Sequence, residues 1–149
     1  MQRAERRRAE MAPAREDGMT GESGGRPRVL IVEDEDNIAI ALDYLLGREG
    51  LDHARLATGL GAVERIRAER PDLVLLDVML PEVSGYEICQ QVRADGALAG
   101  VRIVMMTARG SALERRKALA LGADGFIAKP FELKELRDEL HRLLDPEGA

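Results

Sequence analysis

Polar side chains stand directly after four short apolar segments of this 149-residue chain. They are Glu33 and Asp34 after the first segment, followed by Asp77, Thr107 and Lys129 after later ones. Clustered carboxylates repel one another unless they share a cation, and an oxygen-only set of ligands suits Mg²⁺. An aspartate beside Mg²⁺ can attack phosphorus and form an acyl phosphate, while a lysine neutralises charge on the transferred group. These residue types therefore indicate metal-assisted phosphoryl transfer, with Asp77 as the nucleophile.

The elements that must position these side chains alternate between short apolar runs and longer stretches of helical period. Five strands are predicted, at Val29–Val32, His53–Ala57, Leu73–Leu76, Arg102–Met106 and Phe126–Ala128. Five helices are predicted, at Asn37–Arg48, Leu60–Glu69, Gly85–Arg93, Ala112–Leu121 and Leu133–Leu144. The alternation predicts an α/β fold with a doubly wound, five-stranded parallel sheet. In such a sheet the carboxyl ends of the strands form the ligand-binding edge, so the polar residues after them should meet there.

Length and composition predict one domain. With 45% hydrophobic residues, the chain can build one core but is short for two. Residues 1–27 are rich in Arg, Glu, Gly, Ser and Pro, which predicts a disordered N-terminal extension. The domain is expected to span residues 28–145, with a short C-terminal tail at 146–149. Because the sequence stops soon after the last helix, no attached output domain is expected.

Charge and cysteine content restrict the classes of function. A formal net charge of −5 argues against a general nucleic-acid binder, which needs an excess of Lys and Arg. The single Cys89 cannot form an internal disulfide, and zinc sites need several Cys or His residues at short spacing. No apolar run approaches the roughly 18 residues of a membrane helix, and no signal peptide is readable. A cytoplasmic location away from the membrane is therefore expected.

Four short motifs each end a predicted strand. They are Val32-Glu33-Asp34-Glu35, the run from Leu76 to Pro81 with Gly85 following, Thr107-Ala108 and Lys129-Pro130-Phe131. In this order they resemble the receiver domains of bacterial two-component response regulators, and each motif alone would be weak. The resemblance covers Arg28 to about Leu144. It implies a flavodoxin-like (βα)5 fold.

The resemblance also implies roles for the strand-end residues. Asp77 would accept a phosphoryl group from a sensor histidine kinase, a phosphotransfer protein or a small phosphodonor within a phosphorelay. Mg²⁺ would be held by Glu33, Asp34 and Asp77 together with the backbone carbonyl of Met79. Lys129 would pair with the phosphoryl charge, and its peptide bond to Pro130 would be cis. The protein would then be a phosphoacceptor without a separate substrate, and not an enzyme in the usual sense.

A two-state switch is implied by the same resemblance. Thr107 would bond a phosphoryl oxygen, and Phe126 would repack the face formed by the fourth helix, fifth strand and fifth helix. That face would bind a downstream protein target, and direct DNA binding is not expected. Dimerisation on phosphorylation is left open. Without the other motifs, Thr107 reads equally well as a helix cap, and Phe126 as an ordinary core aromatic.

Three other functions compete with this interpretation. A haloacid dehalogenase-type phosphohydrolase also uses an Asp nucleophile, a hydroxyl, a Lys and Mg²⁺, but it needs a second acid where this chain has Met79. A flavodoxin-like FMN protein fits the strand pattern. However, the acidic run Glu33–Asp36 would repel a phosphate unless a cation intervened. A receiver-like scaffold that is never phosphorylated would not need the full acid set.

Overall fold

The protein is described here by a computed structural model that covers residues 26–108 and 110–144. The predicted N-terminal extension, except its last two residues, and the predicted tail at 146–149 lie outside the described residues. In the part that is described, no helix has both the length and the apolar character needed to cross a membrane.

Five parallel strands form one sheet in the order β2-β1-β3-β4-β5. The strands are β1 (Arg28–Val32), β2 (Asp52–Leu56), β3 (Leu73–Asp77), β4 (Arg102–Thr107) and β5 (Gly125–Ala128). The α-helices are α1 (Asp36–Arg48), α2 (Ala62–Glu69), α3 (Gly85–Ala94), α4 (Ala112–Ala120) and α5 (Leu133–Leu144). The predicted doubly wound, flavodoxin-like α/β fold is confirmed.

Side chains alternate between the two faces of the sheet, and helices cover both faces. Val29 and Ile31 of β1 pack in one apolar cluster with residues of α1 and α5. Leu30 and Val32 pack in a second cluster with residues of α2, α3 and α4. Each fully buried aliphatic side chain contributes about 2 kcal/mol to folding. Burial on both faces explains why the central strands read as continuous apolar runs rather than as alternating ones.

Strand register brings the carboxyl ends of the strands to one edge. Val32, the last residue of β1, pairs with Leu56 of β2 and Leu76 of β3. Asp77 then pairs with Met106 of β4 in the adjacent ladder. The carboxyl ends of β1, β3, β4 and β5 therefore lie at a common level, where the candidate site forms.

Two details differ from the sequence-based expectation. The edge strand β2 spans Asp52–Leu56, one residue earlier than the predicted His53–Ala57, and it is half-buried along its whole length. A short 3₁₀-helix, Gly96–Leu98, lies between α3 and β4 and was not predicted. The Asp95 side chain caps it by accepting a hydrogen bond from the Ala97 N–H at 3.0 Å, and Leu98 is buried beneath it.

Candidate functional site

Three carboxylates converge at the edge where β1 and β3 end. Glu33 follows β1 and is completely buried, Asp34 is exposed, and Asp77 is the last residue of β3 and is buried. One oxygen of each carboxylate lies within 4.8 Å of the others. Three oxygen ligands at this separation suit a hard divalent cation that retains some of its water. The donor set thus fits Mg²⁺, as the sequence predicts.

Lys129 lies between two of these carboxylates. Its Nζ is 2.9 Å from Oε1 of Glu33 and 3.4 Å from Oδ1 of Asp77. The side chain is mostly buried, so this ammonium is the counter-charge of the acids within the protein. The Lys129–Pro130 peptide bond is cis, as predicted.

Main-chain N–H groups also hold the carboxylates. The N–H of Glu35 donates to Oε2 of Glu33 at 3.0 Å, and the N–H of Met79 donates to Oδ1 of Asp77 at 3.2 Å. The Met79 side chain is about half exposed and offers no oxygen ligand. The role of the Met79 carbonyl as a metal ligand stays a prediction.

Ionisation of the Asp77 carboxyl group is electrostatically unfavourable. Burial is the largest cause, and the nearby charge of Glu33 adds to it, so the pKa of Asp77 rises from 3.8 to about 6. Lys129 and the Met79 N–H oppose this rise. For Lys129 itself, burial lowers the pKa, but the hydrogen bond to Glu33 and the charge of Asp77 outweigh burial and raise it. Lys129 therefore stays charged, and a further cation at this edge would favour the ionised Asp77.

Thr107 is the last residue of β4 and is completely buried. It pairs in register with Ala128, and its backbone carbonyl accepts a hydrogen bond from the Lys129 N–H at 2.8 Å. Thr107 and Lys129 are thus neighbours across the β4 and β5 strand ends. The hydrogen bond between the Thr107 hydroxyl and a phosphoryl oxygen stays a prediction.

Phe126 lies farther from the site than the other predicted residues. It is the second residue of β5, pairs with Met105 and is buried in the core cluster that also contains residues of α2 to α4. The Arg115 guanidinium lies 5.3 Å from the centre of its ring. The structure thus places Phe126 in the core beneath α4, and its role in a switch stays a prediction.

One residue at this edge, Arg55, was not identified from the sequence, and Gly85 was identified only as part of a motif. Arg55, in the penultimate position of β2, donates from Nε to the backbone carbonyl of Glu33 at 3.0 Å. A search limited to residues after each strand overlooks Arg55, which lies in the middle of the predicted strand His53–Ala57. Gly85 approaches the site so closely that an added Cβ would lie 2.3 Å from the carbonyl oxygen of Asp77. A glycine is therefore required where α3 begins.

Comparison with known proteins identifies relatives of this chain. The chain is 44% identical over 111 residues to the DNA-binding response regulator MtrA of Mycobacterium leprae (strain TN). The match covers 74% of this chain and 48% of that protein. The chain spans about half the length of the curated relatives it matches.

These relatives correct one expectation. The prediction that the protein does not bind DNA directly, and acts instead on a downstream protein target, is wrong in excluding DNA, because MtrA is described as a DNA-binding response regulator. The prediction rested on the net charge of −5. A net charge of this size does not decide whether a receiver acts with a DNA-binding unit. The end of the sequence likewise gives no support for a stand-alone protein.

Solved structures resemble the fold closely. A putative response regulator from Chloroflexus aurantiacus matches with a TM-score of 0.76 and 34% identity, over 80% of this chain and 98% of that one. The receiver domain of sensor histidine kinase PA1611 from Pseudomonas aeruginosa, solved with magnesium in its active site cleft, matches with a TM-score of 0.73 and 29% identity. This match covers 80% of the chain and 98% of that structure. The family model of the response regulator receiver domain matches residues 29–141. The chain therefore belongs to the response regulator receiver domain family.

Proposed function

We propose that this protein is a cytoplasmic phosphoryl acceptor in which Asp77 is phosphorylated by a histidine kinase or a phosphotransfer protein in a Mg²⁺-dependent reaction. The observation that carries the proposal is the position of Asp77. Its carboxylate lies among Glu33, Asp34 and Lys129, at the point where a metal ion and an ammonium can both reach a transferred group. Membership of the receiver family supports the same assignment.

The transfer breaks one bond and forms another. An oxygen of the ionised Asp77 attacks phosphorus, the bond from phosphorus to the donor nitrogen or oxygen breaks, and the leaving group keeps the electron pair. Mg²⁺, when bound by Glu33, Asp34 and Asp77, supplies charge neutralisation for the phosphoryl oxygens. Lys129 turns from its bridge between the acids to pair with the added charge, and the Thr107 hydroxyl donates to a phosphoryl oxygen. These two contacts distinguish the phosphorylated state from the free one.

Turnover of an external phosphoester is not expected. A hydrolase of the haloacid dehalogenase type needs an acid two residues after its nucleophile, and Met79 cannot protonate a leaving group. A role in binding FMN is equally disfavoured, because Glu33 and Asp34 would face the phosphate of the flavin. We therefore assign the protein a signalling function, with Asp77 as the modified residue.

Intact-mass measurement after incubation with acetyl phosphate tests the proposal. Wild type should gain one phosphoryl group with Mg²⁺ and none with EDTA, and Asp77→Asn should gain none in either condition. Asp138→Asn, on the exposed face of α5, is the matched control and should behave as wild type. An adduct on Asp77→Asn, or no adduct on wild type with Mg²⁺, would reject the assignment.

The relatives support a second proposal, which concerns what phosphorylation controls. Because MtrA is described as a DNA-binding regulator, we propose that phosphorylation of this receiver controls a DNA-binding output. Fluorescence anisotropy of the protein with labelled genomic DNA fragments, before and after treatment with acetyl phosphate, tests this element. A change in affinity on phosphorylation supports it. Equal affinity in both states opposes control by phosphorylation.

A further inference from the structure

Arg55 contacts the acidic turn from the side opposite to Lys129. Its Nε donates to the backbone carbonyl of Glu33 at 3.0 Å, and its Nη2 lies 3.0 Å from Oδ1 of Asp36, the first residue of α1. The Nη2 atom itself is buried and forms no hydrogen bond within the described residues, so its contact with Asp36 is an ion pair only. One guanidinium thus bridges the start and the end of the four-residue acidic run that contains Asp34.

Charge repulsion within the acidic run Glu33–Asp36 explains what the Arg55 bridge would stabilise. Glu33, Asp34, Glu35 and Asp36 carry four successive negative charges that repel one another when no metal is bound. The side chain of Glu33 is already held by Lys129 and by the Glu35 N–H. The backbone of Glu33 is held on β2 through its N–H, which donates to the Leu56 carbonyl at 3.0 Å, and through its carbonyl, which accepts from Arg55.

We propose that Arg55 is a positioning residue for the metal site, which fixes the turn so that the carboxylate of Asp34 stays beside Asp77. The inference rests on the proposed Mg²⁺-dependent function and adds a residue to it. The hydrogen bond from Arg55 Nε to the Glu33 carbonyl makes the larger contribution to this positioning. The contact with Asp36 contributes less, because the Asp36 side chain is 82% exposed and its charge is screened by water.

Positioning and simple charge repulsion predict opposite changes in Mg²⁺ affinity. Arg55 is a cation near a cation site, so if its charge alone mattered, Arg55→Met would bind Mg²⁺ more tightly and Arg55→Lys would be unchanged. If Arg55 positions the turn, both variants bind Mg²⁺ more weakly, because lysine has no Nε–H placed to donate to the Glu33 carbonyl. We expect about tenfold weaker binding, as is found when groups that orient metal ligands are replaced.

Calorimetric titration of each metal-free protein with Mg²⁺ measures this difference. Arg65→Met is the matched control, since Arg65 on α2 pairs with Glu69 and should not alter the affinity. Thermal unfolding in EDTA shows that each variant is folded. Amide hydrogen exchange in EDTA gives a readout independent of metal, and the Asp34 and Glu35 amides should exchange faster in both Arg55 variants.

The outcomes separate the inference from the proposed function. Tighter or unchanged Mg²⁺ binding by folded Arg55→Met, while wild type binds Mg²⁺ and takes up phosphate, overturns the role of Arg55 and leaves the function of Asp77 intact. No Mg²⁺ binding by wild type overturns both. Weaker binding by both variants, with normal binding by Arg65→Met, supports the positioning role.

Discussion

The helices α4 and α5 both follow strands that end at the site, but they are attached in different ways. α5 comes after Lys129 and buries Leu136 and Leu140 almost completely against the sheet. α4 comes after Thr107, and within it only Ala118 is fully buried, while Leu113 is 65% exposed. Apolar burial thus attaches α5 to the sheet far more strongly than it attaches α4.

Polar and aromatic contacts supply much of the attachment of α4. The O–H of Tyr86 on α3 donates to Oε1 of Glu114, and Nζ of Lys117 lies 4.3 Å from the centre of the Tyr86 ring. Tyr86 directly follows Gly85, which packs on the Asp77 carbonyl. Contacts of this kind contribute about 1 kcal/mol each, less than a buried leucine. The comparison teaches that a change of shape costs less at α4 than at α5, and that α3 links α4 to β3, the strand that carries Asp77.

Truncating a leucine in each helix should show the largest contrast. Leu136→Ala should lower the free energy of unfolding by about 3 kcal/mol, because it leaves a cavity in the core. Leu113→Ala should change it by less than about 0.5 kcal/mol, because the side chain is mostly in water. Urea denaturation followed by circular dichroism measures both. Similar losses for the two variants would show that α4 is packed as firmly as α5.

The site also carries an electrostatic cost that depends on pH. The pKa of Asp77 is about 6 in the folded protein and 3.8 as its ordinary value. Between these values the folded state binds the proton more tightly, so this group lowers stability as pH rises from about 4 to above 6. Asp77→Asn should therefore be more stable than wild type in EDTA at pH 8, by up to about 3 kcal/mol. The two proteins should be equally stable near pH 4.

Urea denaturation of wild type and Asp77→Asn at pH 4 and pH 8 tests this electrostatic cost. The difference in unfolding free energy between the two proteins reports on Asp77 alone, because the other acids are the same in both. Added Mg²⁺ should narrow the gap at pH 8, because it binds the folded wild type. A gap of equal size at pH 4 and pH 8 would mean that the stabilisation has a cause other than the charge of Asp77.

Loss of one hydroxyl should give a small effect, confined to α4. Tyr86→Phe removes the hydrogen bond to Glu114 and keeps the ring beneath Lys117. The free energy of local opening should fall by about 1 kcal/mol, which corresponds to roughly fivefold faster amide exchange in α4. Exchange in α5 should not change. Glu114→Gln combined with Tyr86→Phe completes a double-mutant cycle, and additive effects would mean that the two side chains do not act as a pair.

The sheet was predictable from the sequence because its central strands are buried on both faces and appear as unbroken apolar runs. Leu73–Leu76 is such a run, and the polar residue that follows it marks the site. The 3₁₀-helix was missed because its single buried residue, Leu98, produces no periodic signal. The strand ends also led to Thr107 and Lys129, since parallel strands share one carboxyl edge.

Contacts between distant positions were not predictable. Lys129 and Glu33 are 96 positions apart in the sequence and contact each other in the fold. The residues around each of them do not indicate that Glu33 is the acid nearest to Lys129. Arg55 was overlooked for the same reason, because its partner is a backbone carbonyl that any residue could supply. The exclusion of DNA binding failed because net charge does not reveal whether a receiver acts with a DNA-binding unit. Residue types predicted the chemistry of the site, and the tertiary structure decided which groups touch.

The position of the phosphoryl group is the most direct test of the central claim. Protein treated with acetyl phosphate and Mg²⁺ can be reduced with borohydride, which displaces phosphate from an aspartyl phosphate and converts that residue to homoserine. Peptide mass mapping should then locate homoserine at position 77 alone, and only in protein phosphorylated with Mg²⁺ present. Homoserine at Asp34, or a phosphate that resists reduction and maps to Thr107, would contradict the assignment of Asp77 as the phosphoacceptor.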